Sequence, residues 1–258
     1  MAISRADVGV ATVSGTGTLT PSYPASVSAG QLLVLAVGSA YPSVVADTPS
    51  GWTAPANNTK TGGAGSAGVD SGTRTAQWFY KIATGSESGT VSVTFSGGTP
   101  NLTACRIWSY QNATGAWDIA CTGGTDNSPG ATYSAAMDAD PGIVSGDWCL
   151  TLSIMNTDSR GYAGETLTGT GITTALQAEF LDSAITNGDD AKVLACEFTV
   201  SAGPSSAAPT FGATATGSSA NEPAGPTVLM RLREVSGMGS LLRGLSRTSI
   251  VGPTALVA

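Results

Sequence analysis

Short runs of alternating apolar and polar residues, punctuated by Gly, Pro, Ser and Thr, recur along most of the chain and predict strands. In 76–83, Trp78, Tyr80 and Ile82 alternate with Gln77, Phe79 and Lys81. In 227–235, Val228, Met230 and Leu232 alternate with Leu229, Arg231 and Arg233. A period of two places one face of each strand in a core. Predicted strands in the first half cover 7–13, 31–38, 75–83, 89–95 and 102–110. Those in the second cover 147–155, 165–168, 174–181, 191–200, 207–212 and 226–235. The Gly85–Gly89 turn predicts a hairpin between 75–83 and 89–95, and 108–118 reads as one strand crossing between halves.

The pattern also repeats. Gly30 opens Gln31–Val37, and Gly146 opens Asp147–Ser153 at a distance of 116 residues. The same step carries Trp78, Tyr80, Ile82 and Phe95 onto Leu194, Cys196, Phe198 and Phe211. A wider step matches Cys105 with Met230 and Arg106 with Arg231, the extra residues falling in the Gly/Ser/Asn/Pro stretch 216–225. Recurrence of this kind marks a structural unit used twice. The expected fold is all-β: a jelly-roll-like β-sandwich built from two internally similar halves, with a short C-terminal extension. The sandwich spans 1–235, its halves running from about 5 to 115 and from 116 to 235. A docking tail follows over 236–258.

Composition narrows the function. Charged residues make up 11% of the chain, against roughly 25% in an average globular protein. The net charge is −7, with three lysines, Lys60, Lys81 and Lys192, which argues against nucleic-acid binding by counterion release. No run approaches the ~20 apolar residues of a membrane-spanning helix. Met1–Asp7 lack a signal peptide's basic end and apolar stretch, so synthesis in a host cytoplasm is expected. Histidine is absent, which removes the Ser-His-Asp and Cys-His arrangements and His-ligated zinc. The four cysteines form no CxxC pair and are expected as buried core thiols.

The remaining motifs have structural explanations. Gly63-x-Gly65-x-x-Gly68 matches a dinucleotide fingerprint as text but opens no helix, so it reads as a loop. Asp138 with Asp140, and Asp189 with Asp190, could serve as a hydrolase's paired acids. Asp126 with Asp138 and Asp140 could ligate calcium. All of these sit in turn-like sequence, where Asp bonds its own backbone. Trp52, in the loop sequence Pro49-Ser50-Gly51-Trp52-Thr53, is the candidate glycan contact, although large apolar side chains usually end inside. Asn57, Asn101 and Asn112 open chance matches to the glycosylation acceptor pattern. No catalytic residue, cofactor or metal site is expected, and the chain is not expected to be an enzyme.

The tail contains seven large aliphatic residues, Leu241, Leu242, Leu245, Ile250, Val251, Leu256 and Val257. It also carries Arg243 and Arg247 and has no acid. Apolar segments of this kind signal contacts, so these seven residues are expected to dock on a partner.

Gly30–Leu35, Pro49–Thr53, Phe79–Glu87 and the closing Val228–Arg233 together resemble a recurrent pattern in structural proteins of tailed bacteriophages. The resemblance covers roughly residues 5–235. It implies a virion location and a decoration, fibre or adhesin-like role, with other virion proteins and copies of the chain as partners. It implies no catalytic residue. A carbohydrate-binding module that recognises host-surface glycans is the alternative expectation.

Overall fold

The computed structural model describes residues 3–14, 18–40, 42, 44–63, 73–100, 102–127, 131–156, 161–185, 191–216 and 224–235. Among them there are fourteen strands and no helix. The strands form two antiparallel sheets. In the first, β1 (Ser4–Val8) and β2 (Thr12–Ser14) lie along one edge of β6 (Leu102–Gln111). Then come β3 (Leu32–Ala40), β5 (Arg74–Ile82) and β4 (Thr59–Gly62), giving the order β1–β6–β3–β5–β4. In the second sheet, β7 (Trp117–Asp126), β14 (Gly225–Glu234), β9 (Trp148–Asn156), β12 (Ala191–Ala202) and β11 (Thr173–Ile185) follow one another in that order. These five strands repeat the path of the first sheet, strand for strand. The second sheet then continues beyond β7 through β8 (Thr132–Met137), β13 (Thr210–Thr216) and β10 (Gly161–Thr168).

The fold is therefore the expected β-sandwich, and its duplication is written into the strand order. The two sheets pack face to face. Leu32, Val34, Ala36, Trp78, Trp108 and Tyr110 come from one side, and Leu150, Leu152, Ile154, Val193, Val228 and Met230 from the other. Each sheet's second face is also covered. Leu33, Leu35, Phe79 and Ile107 lie under Leu19, Val91 and Val93 in the first half. Leu194, Cys196, Phe198 and Leu229 lie under Tyr133, Ala135, Phe211 and Ala213 in the second. This three-layer arrangement explains why all nine residues of β3 are buried: both faces need apolar side chains, so the run shows no polar alternation. Burying each large apolar side chain contributes about 1.5–3 kcal/mol.

Several sequence expectations are corrected by the pairing. Residues 90–93 do not form a hairpin with β5, whose neighbours are β3 and β4. They lie in the layer that covers the sheet, where Val93 bridges to Leu19 and Thr90 to Ser22 and where Val91 and Val93 are buried. The predicted crossing strand 108–118 is two strands. β6 ends at Gln111 and β7 starts at Trp117, with a turn between them in which Asn112 accepts from the Gly115 amide at 2.6 Å. Gly115 has φ of 68° there, a left-handed conformation suited to glycine.

The internal alignment also slips. Leu32 pairs with Ile82, whereas Trp148 pairs with Thr199, so Trp78 corresponds to Ala195 and Tyr80 to Glu197. The expected partners Leu194 and Cys196 face the outer layer instead. On the neighbouring strand, Cys105 faces Val37 and Thr227 faces Ser153. Cys105 thus matches Thr227, and Arg106 matches Val228, in place of Met230 and Arg231. A one-residue slip exchanges the faces of a strand, and only the observed register keeps equivalent residues in equivalent layers.

Candidate functional site

The sequence-predicted site residues are dispersed. The docking residues Leu241, Leu242, Leu245, Ile250, Val251, Leu256 and Val257 lie outside the described residues, as do Asn101 and the Asp189–Asp190 pair. Most of the Gly63–Gly68 loop lies outside them too. Trp52 is 6% exposed and stacks on Tyr23 with ring centroids 6.3 Å apart. The indole is packed among the first half's outer-layer residues, so it lacks the open face that sugar stacking requires. Asn57 is exposed, with φ of 57°, while its neighbour Asn58 is buried and its amide donates to the Trp78 carbonyl at 2.7 Å.

The acids are engaged in structure. Asp138 pairs with Lys60 at 2.6 Å, joining the two halves. Asp140 accepts from the Gly142 amide and from the Ser205 hydroxyl, at 2.8 Å and 2.6 Å. Asp126 is buried and accepts from the Ser134 amide at 2.6 Å. Only Asp140 makes the local backbone contact that the turn preference of Asp predicts; Asp126 lies at the end of β7 and Asp138 reaches across to the other half. Among the described residues, no three His, Cys, Asp or Glu side chains come together to hold a metal ion. All four cysteines are free and buried. Burial pushes the Cys105 thiol up to about 12 and raises the other three as well.

The feature that sequence reasoning missed is the polar content of the seam between the sheets. Trp78 Nε1 donates across it to the Val228 carbonyl at 3.0 Å. Trp117 Nε1 reaches the Gly30 carbonyl at 3.4 Å, and the Gly63 amide reaches Asn127 Oδ1 at 3.2 Å. Gly38 on β3 faces Ile154 and Val193 so closely that a Cβ would meet Ile154 Cδ1. On the second sheet's other face, away from the seam, Arg231 and Arg233 of β14 bind Asp118, and Arg233 also holds Asp147 at 2.7 Å.

The most unusual group on the seam is Glu197 of β12, which is fully buried. Its Oε2 accepts from Arg5 Nη1 of β1 at 3.0 Å, a bridge from one half to the other. Its Oε1 has no hydrogen-bond partner, and neither does the buried Tyr110 hydroxyl on β6. Desolvation raises the Glu197 carboxyl to about 7, outweighing the attraction of Arg5. Desolvation and the nearby Glu197 charge raise the Tyr110 hydroxyl well above its ordinary value. Glu197 is the single acid in the run Ala191–Val200, a signal that was visible. Its direction was not, because apolar residues occupy both faces of that strand.

An open groove of about 290 Å³ lies between β10 and β11, lined by residues including Glu165, Leu167, Ile172, Leu176 and Phe198. Glu165 is buried, with Oε1 unpartnered. Glu179 on β11 is raised by desolvation and by Glu165. Compared with family models, curated proteins and solved structures, the chain finds no match in any of the three.

Proposed function

We propose that this chain is a non-enzymatic structural protein of a tailed-phage virion, displayed on the capsid or tail in a decoration, fibre or adhesin-like role. It attaches through protein–protein contacts to other virion proteins and to copies of itself. The observation that carries this reading is the seam. Two similar sheets, each with its own outer layer, are joined by a third apolar layer and by cross-braces at Lys60–Asp138, Arg5–Glu197 and Trp78–Val228. Charged and polar groups that could have formed a reactive cleft instead tie the halves together, which suits a mechanical role. The resemblance of residues 5–235 to phage structural proteins supports the same reading.

The docking element is the segment 236–258, with Leu241, Leu242, Leu245, Ile250, Val251, Leu256 and Val257 as anchors. Apolar segments of this composition signal contacts. Deleting 236–258 is expected to leave a folded protein that is missing from purified particles, as checked by circular dichroism and by mass spectrometry of the particles. Normal incorporation of the shortened chain would contradict the docking role. Absence of the intact chain from particles would contradict the virion role.

A further inference from the structure

We propose that Glu197 and Arg5 form a proton-operated catch on the seam: a neutral carboxyl favours closed halves, and a carboxylate favours their parting. The groups stand on opposite halves, Arg5 on the edge strand β1 and Glu197 on β12, and meet at 3.0 Å. They are unequally sheltered. The Glu197 side chain is 1% exposed, while that of Arg5 is 36% exposed. Arg5 therefore keeps much of its hydration when the seam opens or closes, and Glu197 gives up nearly all of its own.

An ionised carboxylate has about four lone-pair sites to satisfy. Here one oxygen has a partner and the other has none. One ion pair does not offset the burial of a carboxylate unless the remaining lone pairs are also satisfied. Other titratable groups on the seam give no help. Tyr110 of β6 lies in the field of Glu197 with its hydroxyl unpartnered. Arg106 of β6 is itself lowered, by desolvation and then by Arg5, and its Nε is engaged with the Gly9 carbonyl at 2.8 Å.

The sign follows from the raised carboxyl. The closed seam holds the proton more tightly than an opened, hydrated one, so closure is favoured most below the ordinary Glu range near 4.5. That advantage is lost as pH climbs to about 7, and further change stops above it. Across that window the population of seam-open molecules rises about tenfold per pH unit.

The test uses the full-length protein. The carboxyl carbon of Glu197, assigned by its loss in Glu197→Gln, is titrated by NMR. A midpoint near 7 is expected, and a midpoint at or below 5 overturns the proposal. Amide exchange, corrected for the intrinsic pH dependence of the chemistry, is then compared between pH 5 and 7.5. Amides at Leu150, Leu152 and Val228 should lose protection about tenfold per unit up to pH 7. Amides at Tyr133 and Phe211 in the outer layer should not follow. Glu197→Gln should abolish the seam dependence. The same slope in that variant, or equal loss in both layers, overturns the catch. If Glu197→Gln does not fold, Arg5→Gln replaces it, and the Glu197 carboxyl is identified as the signal titrating near 7 whose midpoint this variant moves upward; the absence of any such signal overturns the catch.

Discussion

The two halves use one five-strand path but cover its outer face differently. In the second half the sheet itself continues through β8, β13 and β10, bringing Tyr133, Phe198 and Phe211 into edge-to-face ring contacts. In the first half the covering layer is loop, tied by the bridges Leu19–Val93 and Ser22–Thr90 and packed with Trp52 and Val91. What the halves share is the central layer, and there the duplicated positions diverge in chemistry. Tyr80 opposite Val34 corresponds to Glu197 opposite Leu150. The outer layers therefore tolerate different solutions, because each serves its own half. The seam has to fit both halves at once, and any polar group placed there acts on their joint stability.

The largest expected effect comes from attacking that shared layer. Trp78→Ala removes a fully buried indole and the donor to Val228, and should cost about 3–5 kcal/mol. In urea unfolding followed by both tryptophan fluorescence and far-UV circular dichroism, the two signals should shift together. If only one signal moves, the seam does not couple the halves.

A smaller effect sharpens the contrast between the seam and the outside. Burial pushes Glu87 up, but hydrogen bonds from Thr84 and Lys81 outweigh it and hold the carboxyl at about 2. It accepts from the Thr84 and Gly85 amides at 3.0 Å and 2.9 Å and pairs with Lys81 at 3.1 Å. The lowered value means that its contribution is present above about 4.5 and lost as pH falls toward 2. Glu87→Gln should cost about 2 kcal/mol at pH 7, allowing for solvent screening, and should flatten the acid limb of a stability–pH curve. The limb between 4.5 and 7, which runs the opposite way through Glu197, should remain. Loss of both limbs in this variant would mean that the two carboxyls do not act independently.

Legibility in the sequence followed the same division. β3 and β14 were readable, one as an unbroken apolar run and the other as a clean alternation. β7 and β8 were not, because Cys121-Thr122-Gly123-Gly124 and Ser134-Ala135-Ala136 contain few β-branched or aromatic residues. Gly123 has a physical reason to be there: a Cβ would press on the stem of Lys60 at 2.8 Å as β4 crosses it. The repeat was legible, but its register was not. β12 is buried on both faces from Ala191 to Phe198, so hydrophobicity alone gives no parity. The same ambiguity hid the inward direction of Glu197. Trp52 illustrates the reverse case, since its loop sequence suggested exposure and only the stacking of Tyr23 and the layer beneath show it to be core.

Differential scanning calorimetry of the intact chain at pH 5.5 tests most directly whether a common layer makes two similar sheets into one unit. A single transition is expected, with van't Hoff and calorimetric enthalpies in agreement. Two resolved transitions, one for each half, would contradict the account.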